Sequence, residues 1–550
     1  MSNPREPLTR AADVLVDCLE AFGVTATFGV PGESYLAVLD TLYDRALPFI
    51  ICRQEGGATM AAEAHARVTG GLGVAMVTRG PGLTNASAGL HVAFQTSTPL
   101  LLLVGMPALA TEGREAFQEM DVVGFSRAVA KDAVVIRDAA RMAEQLTAAA
   151  RTALTGRPGP VVLGLPEDML TAPAPPFAMG RPALPRSAPA PSDVAAAAAT
   201  IAAAERPLII AGGAGWSADA SRALAVFVAK TGAPVAAAWR RQDTFDNADP
   251  AYAGHLGLGA DPSLKAMVEG ADCLIVAAAR LGENTTQGYT LIAPPSPKVP
   301  LIHIHPDPAE LGAVHAPAHP LAGDPALALA ALCEHNLGNA GARKTWQAKG
   351  RAAYTAFSEP PQDVGPVQMG QIVRHISRTV PAGTRMANGA GNYAIWLHRF
   401  FTYRTFGQQL APTSGSMGYG LPAAIGAAVA DPKTPVVAFA GDGCALMTIQ
   451  ELATLAERAA PVIVIVVDNG RYGTIAMHQQ RDFPGRAVGT AMKSPDFAAV
   501  ARGFGIAAET VRETSAFAGI FDRMLAAQAP GLIHIVADPR AIRPGVTAQE

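Results

Sequence analysis

The sequence predicts an α/β protein of three doubly wound parallel-sheet domains, and three observations lead there. The chain of 550 residues is 49% hydrophobic and 16% charged, enough apolar surface to bury several cores and to exclude disorder as its main state. Short apolar runs alternate with longer helical stretches along its length, and runs apolar on both faces belong to strands covered by helices on both sides. Two proline-rich stretches, 171–192 and 358–366, interrupt that alternation as linkers. The segments they leave, 1–171, 192–345 and 360–550, each have the size of an ordinary domain.

In the first segment the runs 26–30, 49–52, 73–78, 100–104 and 161–165, bounded by Gly or Pro, predict strands, and 55–68 and 139–154 predict helices. In the second, 208–211, 234–238, 273–277 and 301–305 predict strands, and the Ala-rich stretch 193–204 predicts a helix with Ser192 as its cap. In the third, 436–440, 462–467 and 532–536 are nearly continuous apolar strands. No short-period repeat is visible, and the first and third segments read as similar folds used for different tasks.

Composition also excludes function classes. A net charge of −3 leaves no basic footprint for nucleic acid. The longest apolar runs, 99–107 and 461–467, fall well short of the ~18 residues a membrane span needs. Arg5, Glu6, Arg10 and Asp13 precede no apolar stretch, so the start is not a secretory signal and the expected location is cytoplasmic. The cysteines at 18, 52, 273, 333 and 444 are odd in number and scattered, against a disulfide framework or a zinc site.

The most specific chemistry lies at the end of the strand 436–440, in Gly441-Asp442-Gly443. The next apolar strand ends in Asp468-Asn469-Gly470. A carboxylate and a carboxamide thus stand at the carboxyl ends of two strands, where open α/β sheets bind ligands. Both are hard oxygen donors, so Asp442 and Asn469 predict an Mg²⁺–diphosphate anchor. Glycine lets the backbone approach phosphate, and a helix N-terminus favours the anion. Gly-Asp-Gly alone fits an ordinary turn equally well; the asparagine on the next strand decides against that. The glycine run 211–215 fits a nucleotide turn but fails G-x-G-x-x-G, and such turns are often structural. His303 with His305 and His315 with His319 suggest metal pairs, less well than a polar strand face and a surface loop.

RQEGGA (53–58), TRGPGLTN (78–85), AFQE (116–119), GRPGPV (156–161) and GSMGYGLPAA (415–424) join Gly-Asp-Gly and its asparagine in one order. Across essentially the whole chain this pattern resembles the acetolactate synthase branch of the thiamin diphosphate (ThDP) superfamily. The resemblance implies that Glu55 is the cofactor-activating acid, a carboxyl in an apolar pocket able to protonate a pyrimidine ring. Read alone, Glu55 is more simply a carboxylate at a helix N-terminus.

By the same resemblance Pro81, Gly82 and Asn85 pack near the pyrimidine and Gln118 faces the reacting centre. Met417 props the bent cofactor, with backbone contacts from Gly415 and Met417 itself. Gly391, Asn392 and Tyr393 occupy the family's Gly-Gln-His stretch, the last two substituted. Gly441, Gly443, Cys444, Tyr472 and Gly473 complete the cofactor set, and Arg471 gives the metal its backbone carbonyl. Phe117, Glu167 and His478 are expected near substrate. Glu167 stands where the synthases usually carry Lys, and His478 aligns with the Trp that selects the acceptor.

The family's central domain holds FAD, an ADP-like group or nothing, and GHLGLG (254–259) only partly resembles its flavin-contacting region. The implied activity decarboxylates a 2-ketoacid such as pyruvate and joins the remainder to a second carbonyl. The implied assembly is a homodimer or homotetramer, with each site between the first domain of one subunit and the third of another. The alternatives are a non-oxidative 2-ketoacid decarboxylase, a 2-hydroxyacyl-CoA lyase or oxalyl-CoA decarboxylase-like enzyme, and a ThDP-fold binding protein without turnover.

Overall fold

The computed structural model describes residues 9–177 and 183–547 and contains three six-stranded parallel sheets flanked by helices. The first sheet comprises β1 (Thr27–Gly29), β2 (Phe49–Ile51), β3 (Gly73–Thr78), β4 (Leu100–Met106), β5 (Asp132–Val135) and β6 (Pro160–Pro166). The second comprises β7 (Pro207–Ala211), β8 (Val235–Ala237), β9 (Tyr252–His255), β10 (Cys273–Ala277), β11 (Leu301–His305) and β12 (His319–Ala322). The third comprises β13 (Arg385–Asn388), β14 (Gln409–Leu410), β15 (Val436–Gly441), β16 (Val462–Asp468), β17 (Ala507–Val511) and β18 (Gly531–Val536).

The first sheet runs β2-β1-β3-β4-β6-β5 and the third runs β14-β13-β15-β16-β18-β17, the same order. The second runs β9-β8-β7-β10-β11-β12, the dinucleotide-fold order. The likeness of the outer segments is therefore real at the level of topology.

Every strand predicted from the sequence is present. Within the three large sheets those it missed are β5, β9, β12, β14 and β17, all at sheet edges, and β13. Asp132–Val135, His319–Ala322 and Ala507–Val511 are incompletely covered and keep polar residues, whereas in the buried Tyr252–His255 and Gln409–Leu410 it is Gly254, His255 and Gln409 that break the apolar run. β13 is interior, but its Arg385 and Asn388 disguise it.

Other expectations change. The helix Pro191–Ala203 starts at Ala190 with Pro191 in its first turn, so Ser192 lies inside the helix and does not cap it. Pro173–Ala174, placed in a linker by composition, pair antiparallel with Thr9–Arg10, while 178–182 of that stretch lie outside the described residues. His303, His305 and His315 are buried, not on a polar face or surface loop; His303 and His315 each bond a backbone carbonyl, of Ala279 and Ile292. No group of three potential metal ligands from His, Cys, Asp and Glu occurs among the described residues.

The outer regions are fastened to each other within the chain. Helix Glu55–Thr69 packs along helix Gly420–Ala430 so closely that a Cβ on Gly426 would overlap the carbonyl oxygen of Ala61. Glu63 is fully buried in this seam and accepts hydrogen bonds from Thr96 (2.8 Å), Thr98 (2.7 Å) and Tyr419. Arg67 donates to the carbonyls of Gln409 (2.7 Å) and Ala411 (3.3 Å). Buried Glu63 has partners, without which it would cost several kcal/mol, and Arg67 beside it is half-buried.

Candidate active site

In the third sheet Gly441 on β15 lies opposite Val467 on β16, which brings Asp442 and Asn469 to neighbouring strand ends. Both line a cavity of about 260 Å³ whose walls come entirely from residues between Ala390 and Ile542. All the third-segment residues predicted to bind cofactor or metal line it: Gly391, Asn392, Tyr393, Gly415, Met417, Gly441, Asp442, Gly443, Cys444, Asn469, Arg471, Tyr472 and Gly473. His478 does not; it is exposed on helix Gly473–Asp482.

Asp442 is 4% exposed and accepts N–H groups from Gly443 (2.7 Å) and Arg471 (3.2 Å). Burial, then the neighbouring Asp468, pushes its carboxyl well above the usual range. Burial also opposes charge on Asp468, but hydrogen bonds from His534 (3.0 Å) and Ser494 (2.8 Å) outweigh it and keep that carboxylate low. Asn469 donates its amide N–H to the Ala541 carbonyl at 3.1 Å, which leaves its side-chain oxygen as an acceptor.

The donor set is thus a carboxylate and a carboxamide oxygen at a desolvated strand end, which suits a hard divalent cation. The walls suit an anionic head as well. Gly391 has φ of +144° and Gly415 φ of +73°, conformations that favour glycine. A Cβ on Gly441 would stand 2.7 Å from the Tyr393 ring, and one on Gly443 2.6 Å from the Tyr472 ring. Those two glycines therefore let aromatic walls close on the backbone. Tyr393 in turn donates its hydroxyl to the Cys444 sulfur at 3.1 Å, which also accepts the Gly418 N–H at 3.2 Å.

The predicted residues of the first segment gather elsewhere, at the carboxyl ends of the first sheet. Glu55 opens its helix, Gln54 caps it by accepting the Gly57 N–H, and Asn85 donates to the Glu55 carboxylate at 2.9 Å. Pro81 is exposed and Gly82 is buried against Val77. Gln118 is half-buried with φ of +60°, and its carbonyl accepts the Gly80 N–H. Phe117 stands 71% exposed beside it, and Glu167 pairs with Arg79 at 3.0 Å. None of these residues lines the 260 Å³ cavity.

Sequence reasoning missed several residues here. Glu451 from the third region is fully buried, and its carboxylate accepts the backbone N–H groups of Arg53 (3.0 Å) and Gln54 (3.1 Å) just before Glu55. Burial raises its pKa. Arg79 and Glu33 were missed because a pair 46 positions apart has no local signature.

A second cavity of about 330 Å³ lies against the central sheet, lined by Gln95, Thr96, Trp239, Arg241, Arg280 and Thr413 among others. The nearby glycines answer to protein neighbours. A Cβ on Gly213 would overlap the Ala278 carbonyl, and one on Gly257 would enter the Trp239 ring. The five cysteines are free and buried. No helix among the described residues is long and apolar enough to cross a membrane.

Comparison with known proteins agrees with this arrangement. The N-terminal TPP binding domain of thiamine pyrophosphate enzymes matches residues 9–125, their central domain 194–332 and their C-terminal TPP binding domain 389–535. Acetolactate synthase isozyme 2 large subunit of Escherichia coli (strain K12) is 31% identical over 533 residues, covering 96% of this chain and 95% of its own length. The probable acetolactate synthase large subunit of Methanocaldococcus jannaschii is 30% identical over 558 residues, covering 98% and 93%. An acetolactate synthase of Mycobacterium bovis is 31% identical over 511 residues, covering 90% and 82%. With three matching domains in order and relatives aligned nearly end to end, the chain belongs to the thiamine pyrophosphate enzymes, in the acetolactate synthase large-subunit branch.

Proposed function

We propose that this chain is a ThDP- and Mg²⁺-dependent 2-ketoacid decarboxylase and carboligase of the acetolactate synthase kind, acting in the cytoplasm. The observation that carries the reading is the meeting of Asp442 and Asn469 at one cavity, with the Glu55–Asn85 pair held separately on the first sheet. When bound, thiamin diphosphate supplies the electron sink for decarboxylation. Asp442, Asn469 and the Arg471 carbonyl would hold the metal beside the diphosphate. Gly391, Asn392, Tyr393, Gly441, Gly443, Cys444, Tyr472 and Gly473 shape the diphosphate wall, and Gly415 and Met417 meet the pyrimidine. Glu55 would meet the pyrimidine as the activating acid, Asn85 orients its carboxyl, and Pro81 and Gly82 would pack beside the ring. Gln118 faces the substrate carbonyl, with Phe117, Glu167 and His478 at the entrance.

Because Glu55 stands outside the cavity of its own chain, a second copy brings its first region to that cavity, in a homodimer or homotetramer. A flavin or ADP-like group in the central cavity would lie against Trp239 and Arg241. The test is product analysis with pyruvate, ThDP and Mg²⁺. Acetolactate is the expected product; aldehyde alone supports the simple decarboxylase, and turnover only of 2-hydroxyacyl-CoA or oxalyl-CoA compounds supports the lyase. Carbon–carbon ligation that survives Glu55→Gln intact overturns the proposed role of Glu55 and the reading with it.

A further inference from the structure

At the corner of the first sheet where β1, β3 and β6 end lies a buried cation that the mechanism does not use. Arg79 opens helix Arg79–Thr96 with φ of +44°, a left-handed conformation that a residue with a side chain keeps only where its surroundings impose it. Its guanidinium donates to Glu33 at 2.6 Å and to Glu167 at 3.0 Å, and lies 5.6 Å from the centre of the Phe117 ring. The arginine side chain is 8% exposed, against 65% for Glu33 and 40% for Glu167, so the cation sits beneath and the acids outside. The next residue, Gly80, donates its N–H to the Gln118 carbonyl at 3.0 Å. Further along the same helix, Asn85 holds Glu55.

We propose that Arg79 is a positioning residue that clamps the Phe117–Gln118 loop over the strand ends, with Glu33 and Glu167 as its counter-ions. Its bearing on turnover rests on the reading that Gln118 faces substrate. Two carboxylates fix the plane of the guanidinium fork, which a lysine ammonium cannot reproduce. The fixed plane offers Phe117 a face to pack on, and the backbone bond from Gly80 pins the carbonyl of Gln118. The acid at position 167 is thereby balanced inside the chain by the cation at 79.

The test measures hydrogen exchange and turnover on the full chain with Arg79→Met, Arg79→Lys and Glu167→Gln. In Arg79→Met, peptides spanning 112–120 exchange about tenfold faster or more, while those from β7 and β15 keep the parent rate. The same variant loses about tenfold or more in kcat for 2-ketoacid, with KM for ThDP unchanged. Arg79→Lys recovers part of both, a rescue that simple loss of packing would not show. Unchanged exchange at 112–120 overturns the clamp, and so does a loosened loop with unaltered kcat.

If Arg79→Met does not fold, Glu167→Gln removes one ion pair and reads the same peptides. Faster exchange there supports the clamp, and parent-like exchange overturns it. Should the parent turn over no 2-ketoacid, the exchange measurement still decides the clamp, and it is the functional reading that fails.

Discussion

The first and third sheets have one strand order and opposite furnishings. At the ends of β15 and β16 the chain places glycines and hard oxygen donors around a cavity, with few bulky charged side chains in the way. At the matching ends of the first sheet it places polar and charged side chains that already bond one another, Glu55 with the Asn85 amide and Arg79 with Glu33 and Glu167. Topology therefore determines where a ligand can be approached, and the residues just past the strands determine whether that place is an open cavity or a set of side chains bonded to one another.

The contrast breaks most severely at the third sheet. Asp442→Ala should remove ThDP-dependent turnover and weaken Mg²⁺-dependent ThDP binding by more than about 100-fold, read by calorimetry. Chelation of Mg²⁺ from the parent should reproduce that loss. Glu55→Gln should act differently, lowering turnover by roughly 10²–10⁴-fold while ThDP affinity stays within about tenfold. If both variants lose binding equally, the division of labour between the two sheets is wrong.

The seam that joins the regions gives a smaller effect. Gly426→Val must push against the Ala61 carbonyl, and should cost about 1–3 kcal/mol in denaturant unfolding. Its effect on turnover should follow the loss of folded protein.

The last effect is set by pH. Burial lowers the His65 pKa to about 4. The unfolded chain takes up that proton first, so this contribution is complete above about pH 6.5 and is lost as pH falls toward about 4. His65→Gln should flatten the stability profile in that window by at most about 1.4 kcal/mol per pH unit, measured by unfolding at successive pH values.

What could be read from the sequence follows the same division. Interior strands such as Leu100–Met106 announce themselves by unbroken apolar runs, and the cavity residues of the third region announce themselves because glycine, aspartate and asparagine recur at strand ends. Edge strands such as Ala507–Val511 do not, since half-covered backbone tolerates polar residues. Nor do Glu63 and Arg67. Nothing local on helix Glu55–Thr69 marks them, because Tyr419, Gln409 and Ala411 lie over 340 positions away and Thr96 and Thr98, which also bond Glu63, lie 33 and 35 away. The same limit hid Glu451 behind Glu55 and Glu33 behind Arg79.

The seam between Glu63 and Tyr419 closes a loop of 356 residues, and that span has a cost during synthesis. The first region leaves the ribosome long before the helix that covers it exists. At ordinary elongation rates, roughly 5–20 residues per second, the Ala-rich face of helix Glu55–Thr69 waits about 20–70 s for Gly420–Ala430 to arrive. Until it arrives, the face that the seam later buries has no cover from the third region, and Glu63 has only Thr96 and Thr98 of its own region to bond.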